Sequence, residues 1–153
     1  MLALGTIGCD RVTKSAATTA LAGGPVRSYL SDTVRMGYFE NTGGFLSLGA
    51  DWPVEIRTAF FTVATGLMLL TLVVYSLRSR LSAFQTLGLT LFVAGGAANL
   101  LDRIQYGRVV DFMNLGIGPV RTGIFNVADV ALMIGAAVFA WSEFKQWRVA
   151  RHA

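Results

Sequence analysis

The sequence predicts an all-α integral membrane protein with four transmembrane helices and a small extracytoplasmic β element. Three observations predict it. Hydrophobic residues make up 54% of the 153 and charged residues only 14%, against roughly 25% charged in an ordinary soluble domain. Three stretches run for 20 or 21 residues with one charge or none, the length that crosses a hydrocarbon core about 30 Å thick. Basic residues crowd the short link between two of these stretches and the C-terminal tail, as cytoplasmic segments do. At about 100–200 residues per domain, the length predicts a single membrane-embedded domain over 1–153.

The first span, roughly 1–22, is the least apolar, because Asp10, Arg11 and Lys14 sit inside it. A cleavable signal peptide places its positive charges ahead of the apolar run, whereas here they follow it. Charges within a span cost about 2.5–3.5 kcal/mol each and are usually functional, so this stretch reads as a genuine helix with polar work to do. Its abrupt start predicts that residues upstream of Met1 are missing. The connection that follows, Tyr29 to Trp52, is rich in β-branched and aromatic residues (YLSDTVRMGYFE) and predicts a small sheet. NTGG at 41–44 supplies a turn or bulge.

The second span is Thr58 to Leu77, and the third is Leu81 to Leu101. Between them lies Arg78-Ser79-Arg80. The fourth span covers roughly 122–142 and holds one charge, Asp129, after a helix start near Phe125. Lys145, Arg148 and Arg151 follow it. The connections at about 24–57 and 102–121 hold six basic residues over a much greater length. Both termini and the 78–80 link are therefore expected in the cytoplasm, and both long connections outside. The net charge of +4 reflects this membrane bias. No basic patch with interleaved aromatics suggests nucleic acid, and no internal repeat supports a repeat-built transporter.

Composition also narrows the chemistry. Cys9 is the only cysteine, and His152, the only histidine, lies one residue from the end. An intrachain disulfide, a Cys-rich zinc site and Ser-His or Cys-His catalysis are set aside. The remaining reactive groups are acidic clusters near the outer surface: Asp10 with Lys14 at i, i+4, NLLDR at 99–103, and the pair Asp111 (GRVVDF) and Asp129 (FNVAD). Asp10 and Lys14 also read as an ion pair that holds helix packing. Asp102 and Arg103 also read as an interfacial ion pair or a snorkelling arginine. Asp129 alone reads as a first-turn carboxylate favoured by the helix dipole, and Asp111 alone as a loop residue.

Two carboxylates brought together share a proton, so one serves as a base toward water and the other as an acid toward the carbonyl or leaving amine. Amide hydrolysis by this route needs no metal and no cofactor. Carboxylates without histidines favour Mg²⁺ or Ca²⁺, but no dense acidic loop is present. A Ser-Lys mechanism through Lys14 with Ser15 or Ser47 remains an alternative. So do a non-catalytic binding or assembly protein and a small proton-coupled transporter using Asp129.

GGAANLLDR (95–103), GRVVDFMNL (107–115) and FNVAD (125–129), in that order, resemble the motifs of the lipoprotein signal peptidase family, also called signal peptidase II. D-x-x-T-K at 10–14 and NTGGFLS at 41–47 resemble its other two blocks, so the likeness covers almost the whole chain. The resemblance implies an aspartic endopeptidase of the bacterial inner membrane with its site near the outer surface. Its substrate would be a prolipoprotein cleaved just before a diacylglyceryl-modified cysteine, with membrane lipids as surroundings and the enzyme a monomer. It assigns catalysis to Asp111 and Asp129, and substrate-binding or support roles to Asp10, Lys14, Asn41, Gly44, Asn99, Arg103 and Asn126. It also implies a β-cradle over 29–52 and a 113–121 loop, whose Gly116 and Gly118 permit movement, clamping the peptide. Three departures stand out, one of them a short first helix. Phe45 arrives one place earlier than the family's N-x-G-A-A-F-S pattern has it, which bears on substrate and inhibitor fit, and residue 98 is Ala where Gly is common.

Overall fold

A computed structural model of the chain describes residues 1–43, 49 and 51–152. Along them run helix α1 (Leu2–Leu21), strands β1 (Arg27–Tyr29) and β2 (Val34–Asn41), and helix α2 (Val54–Arg78). Helix α3 (Ala83–Tyr106), strands β3 (Val109–Ile117) and β4 (Val120–Arg121), and helix α4 (Val127–His152) complete the order. Helix α2 contains a π-helical turn at Phe60–Ala64. Helices α2, α3 and α4 are long and apolar enough to cross a membrane. Helix α1, 20 residues and so about 30 Å long, joins them as a polar fourth. Helices α2 and α3 begin and end within a few residues of the charges that bracket the predicted spans, whereas α4 begins at Val127 and runs on past the predicted end near 142 to His152.

Local chemistry sets the ends of α3. Ser82 and Gln85 form a reciprocal capping box: the Gln85 N–H donates to Ser82 Oγ at 3.3 Å, and the Ser82 N–H donates to Gln85 Oε1 at 2.7 Å. At the other end Gly107 takes φ +69°, the left-handed conformation that stops a helix, and its N–H bonds the Arg103 carbonyl. On α1 the buried residues are Asp10, Lys14, Ala17 and Leu21, one stripe at helical spacing. Its C-terminal end packs an apolar cluster with Phe112 of β3, while its middle brings charge to the helix interface.

Helices α3 and α4 approach closely because small residues line the seam. A Cβ on Gly88 would lie 2.7 Å from the Phe139 nitrogen and 2.8 Å from the Gly135 oxygen. A Cβ on Gly95 would overlap the Ala128 carbonyl oxygen. The two helices therefore meet backbone to backbone just below Asn99 and Asp129.

The four strands form one antiparallel sheet in the order β1-β2-β3-β4, so the two long connections meet at one end of the helices. This corrects one expectation. The 113–121 segment is not an irregular loop but the β3–β4 hairpin, with Gly116 opposite Arg121. Gly116 sits there because a Cβ would strike Val120 and Arg121, not for mobility, whereas Gly118, at φ +55°, makes the turn. The sheet predicted within 29–52 is half of the real one, whose other half comes from the second connection. The pairing of β2 with β3 slips by one residue between Met36/Met113 and Phe39/Asp111. This bulge at Gly37-Tyr38 flips every later β2 side chain to the other face. Asn41 thereby shares a face with Val109 and Asp111, while Glu40 faces the opposite side with Val110.

Candidate active site

Asp111 sits in β3 and Asp129 in the first turn of α4, and both are buried. The α4 terminus is a second reciprocal cap. The Asp129 N–H donates to Asn126 Oδ1 at 2.9 Å, and the Asn126 N–H donates to Asp129 Oδ2 at 3.1 Å. Asp129 therefore occupies the third helical position, where a carboxylate both caps the helix and meets its dipole. The bland reading of Asp129 as a first-turn residue holds, and it is also what fixes the carboxyl.

Asparagine amides hold the two aspartates in one network. Asp111 Oδ1 accepts from Asn126 Nδ2 at 2.7 Å, and its Oδ2 accepts from Asn41 Nδ2 at 2.9 Å. Asp129 Oδ1 accepts from Asn99 Nδ2 at 2.9 Å. Asn126, fully buried at 0% exposure, thus donates to both carboxyls, from its side chain to one and its backbone to the other. Its Nδ2 also reaches Asn99 Oδ1 at 3.2 Å, closing the ring. Burial pushes the Asp111 carboxyl above its ordinary pKa, against the opposing pull of the Asn41 and Asn126 amides and of Lys14 and Arg103.

Below the ring lies a buried charge cluster. Lys14 Nζ is 2.7 Å from each of Asp10 Oδ2, Asp102 Oδ2 and Asn99 Oδ1. The i, i+4 pair of α1 forms as expected, but it does more than hold packing, because Lys14 orients the amide that bonds Asp129. Asp10 Oδ1 accepts the Ala128 N–H at 2.8 Å, anchoring α1 to the α4 terminus. Asp102 corrects another expectation. It is buried and paired with Lys14 and Arg11, three residues and almost one turn after Asn99, rather than paired with Arg103 at the interface. It joins the network around Asn99 through Lys14, and its signal was the i, i+3 spacing to Asn99 within NLLDR. Arg103 does not snorkel either: it donates to the Gly43 carbonyl at 2.7 Å, tying the end of β2 to α3. Asn41 Oδ1 accepts the Gly43 N–H at 3.0 Å, so the predicted turn begins there. Gly44 lies outside the described residues.

Asp111, Asp129, Asn41, Asn99 and Arg103 line one cavity of about 220 Å³. Its opposite wall is apolar, with Phe61 and Met68 of α2, and Phe61 belongs to the π-helical turn. Such turns are frequent at functional sites. Among the described residues no three carboxylate, thiol or imidazole groups converge on a metal position. Two carboxyls held by neutral amides, facing a cavity with one polar and one apolar wall, can carry acid–base chemistry on a substrate that is itself part polar and part apolar.

Comparisons with known proteins agree with this architecture. A family model described as signal peptidase (SPase) II matches residues 2–145. The lipoprotein signal peptidase of Desulforapulum autotrophicum is 32% identical over 136 residues, covering 88% of this chain and 84% of that protein. The lipoprotein signal peptidase of Streptococcus pneumoniae is 32% identical over 141 residues, covering 92% and 88%. A solved structure described as a bacterial membrane enzyme matches with a TM-score of 0.81 at 26% identity, over 94% of this chain and 85% of that one. With family motifs, relatives and fold agreeing over nearly its whole length, the chain belongs to the signal peptidase II family of aspartic peptidases, enzymes of bacterial membranes.

Proposed function

We propose that this enzyme removes signal peptides from diacylglyceryl-modified prolipoproteins, cleaving just before the lipidated cysteine, with Asp111 and Asp129 as the catalytic pair. The observation that carries the assignment of residues is Asn126, which donates to both carboxyls at once. In the reaction, the ionised member of the pair takes a proton from a water molecule as the water oxygen attacks the scissile carbonyl carbon. The neutral member donates a hydrogen bond, then a proton, toward the carbonyl oxygen. As the intermediate collapses, the C–N bond breaks: the carboxyl that took the water proton gives it to the cysteine nitrogen, which leaves as an amine, and the proton on the former carbonyl oxygen returns to the other carboxylate, restoring the pair. Asn99, Asn126 and Asn41 orient the carboxyls, while Lys14, Asp10 and Asp102 hold Asn99 and the start of α4. No cofactor takes part.

The lipid explains the mixed walls of the cavity. Acyl chains stay against the apolar α2 side, and the peptide meets the polar side. Most of the roughly 0.8 kcal/mol per buried CH₂ is gained when the substrate enters the bilayer. The enzyme's own contribution is positioning of the scissile bond. The chain works as a monomer in the inner membrane, among membrane lipids and without nucleic acid. Its termini are cytoplasmic and its aspartates lie near the outer surface. The test offers purified enzyme both forms of one precursor. Cleavage of the lipidated form alone is expected, and equal cleavage of the unmodified form would overturn the substrate assignment.

A further inference from the structure

The sheet has a second side. A cavity of about 410 Å³, larger than the one at the aspartates, opens between α1, the last turn of α3 and the far face of β2 and β3. The bulge in β2 sorts residues between the two cavities: Asn41 goes to the aspartate side, and Tyr38 lines the other with Val110. Two arginines, two tyrosines and Thr18 surround the second space, with Asp102 on its wall.

We propose that this second cavity binds the phosphate of a phospholipid headgroup. The donors suit a phosphodiester, whose oxygens only accept. Arg11 and Arg108 stand about half exposed, with side-chain exposures of 48% and 46%. The Arg11 guanidinium bonds Asp102 at 2.8 Å and lies 5.4 Å from the centre of the Tyr106 ring. The Arg108 Nε bonds Glu40 at 3.1 Å, and the Tyr38 hydroxyl donates to the same carboxylate at 2.8 Å. Arg11 Nη2 also donates to Gln105 Oε1 at 2.5 Å, but with five N–H donors on each guanidinium neither is used up by these contacts. Of the two acids nearby, Asp102 on the wall has both oxygens engaged by Arg11 and Lys14, and Glu40 is held by Arg108 and Tyr38.

Height favours a lipid over a free anion. The cavity lies beside Tyr106, where the apolar α3 span ends. Arginine and tyrosine at that level meet the headgroup layer. This site shares Asp102 and Lys14 with the network beneath the aspartates but none of the aspartates' own cavity except through that network. The proposal therefore stands independently of the substrate assignment.

The test uses the full chain in detergent and native mass spectrometry with added dioleoylphosphatidylglycerol. Dioleoylglycerol, which lacks the phosphate, and millimolar inorganic phosphate serve as separate arms. The wild type is expected to retain one phosphatidylglycerol and not dioleoylglycerol, with no displacement by inorganic phosphate. Arg108→Gln should weaken retention about tenfold, the scale of one charged hydrogen bond, and Arg108→Lys should keep most of it. Arg108 is a half-exposed surface residue, so neither change threatens folding. Equal retention by Arg108→Gln, or of dioleoylglycerol, would overturn the proposal. Displacement by inorganic phosphate would reassign the cavity to a free anion and overturn the lipid assignment.

Discussion

Asp10 of α1 accepts a hydrogen bond at 2.8 Å from the backbone N–H of Ala128, the residue before Asp129. A first-turn N–H of a helix has no partner within the helix, so α1 completes the terminus that carries one of the two aspartates. The other Asp10 oxygen holds Lys14 at 2.7 Å. One side chain thus fixes both the backbone below Asp129 and the lysine behind Asn99.

Asp10→Ala should therefore be strongly destabilising, by about 3–5 kcal/mol, because it leaves the Lys14 charge buried with one partner fewer. Asp10→Asn keeps an oxygen for Ala128 and should lose less. Thermal unfolding of both variants checks the order. Equal stability of wild type and Asp10→Ala would contradict the anchoring role.

Asn126 separates capping from catalytic positioning. Asn126→Ser keeps an N-cap oxygen, a substitution that costs little, but loses the amide that reaches Asp111. Its melting temperature should fall less than that of Asn126→Ala, while kcat falls by about 10–100-fold, within the range of positioning effects. Asn126→Ala should lose both activity and about 1 kcal/mol or more of stability. Wild-type kcat in Asn126→Ser would show that the amide bridge is idle.

Much of this architecture is legible in the sequence. The three apolar spans stand out by length, and charges bracket them. Asp10, Lys14 and Asp129 stand out because ionisable groups in a membrane helix are costly, whereas the support roles of Asn41, Asn99, Arg103 and Asn126 rest on the family resemblance. What the sequence concealed depends on pairing between distant segments. The 113–121 stretch reads as a loop, since its glycines look like flexibility, until β2 supplies a partner strand. The bulge at Gly37-Tyr38 has no periodic signal, yet it decides which face Asn41 occupies. Asp102 was visible within NLLDR, but only the packing of α1 against α3 shows that its partners are Lys14 and Arg11.

The glycine seam yields a packing prediction. Gly95→Ala should cost about 1–3 kcal/mol by overpacking, since its methyl would meet the Ala128 carbonyl, which cannot move aside without shifting Asp129. Gly8→Ala on α1 is the control, with nothing within 4 Å of the new carbon. Activity and melting temperature should fall together in the first variant and stay unchanged in the second. A fully active Gly95→Ala enzyme would show that the seam does not set the height of Asp129.

Asp111 gives stability a pH signature. Its folded pKa lies above the unfolded value, chiefly through burial. The stability tied to its neutral form is therefore complete below the unfolded pKa and is lost as pH rises through the folded one. Asp111→Asn cannot titrate. Whatever constant offset the amide brings, the melting temperature of the variant relative to wild type should climb from acidic to neutral pH. A difference that stays flat across that range would contradict the raised value.

The most direct measurement is the turnover of a lipidated precursor by purified Asp111→Asn and Asp129→Asn, each first shown to be folded by its melting curve. An amide keeps the size and polarity of the carboxyl but can neither take a proton from water nor share one. Each variant should lose at least about 10³-fold in kcat, within the range of general acid–base catalysis, while binding the substrate nearly as wild type does. Turnover within tenfold of wild type by either folded variant would contradict an aspartate pair as the catalytic centre.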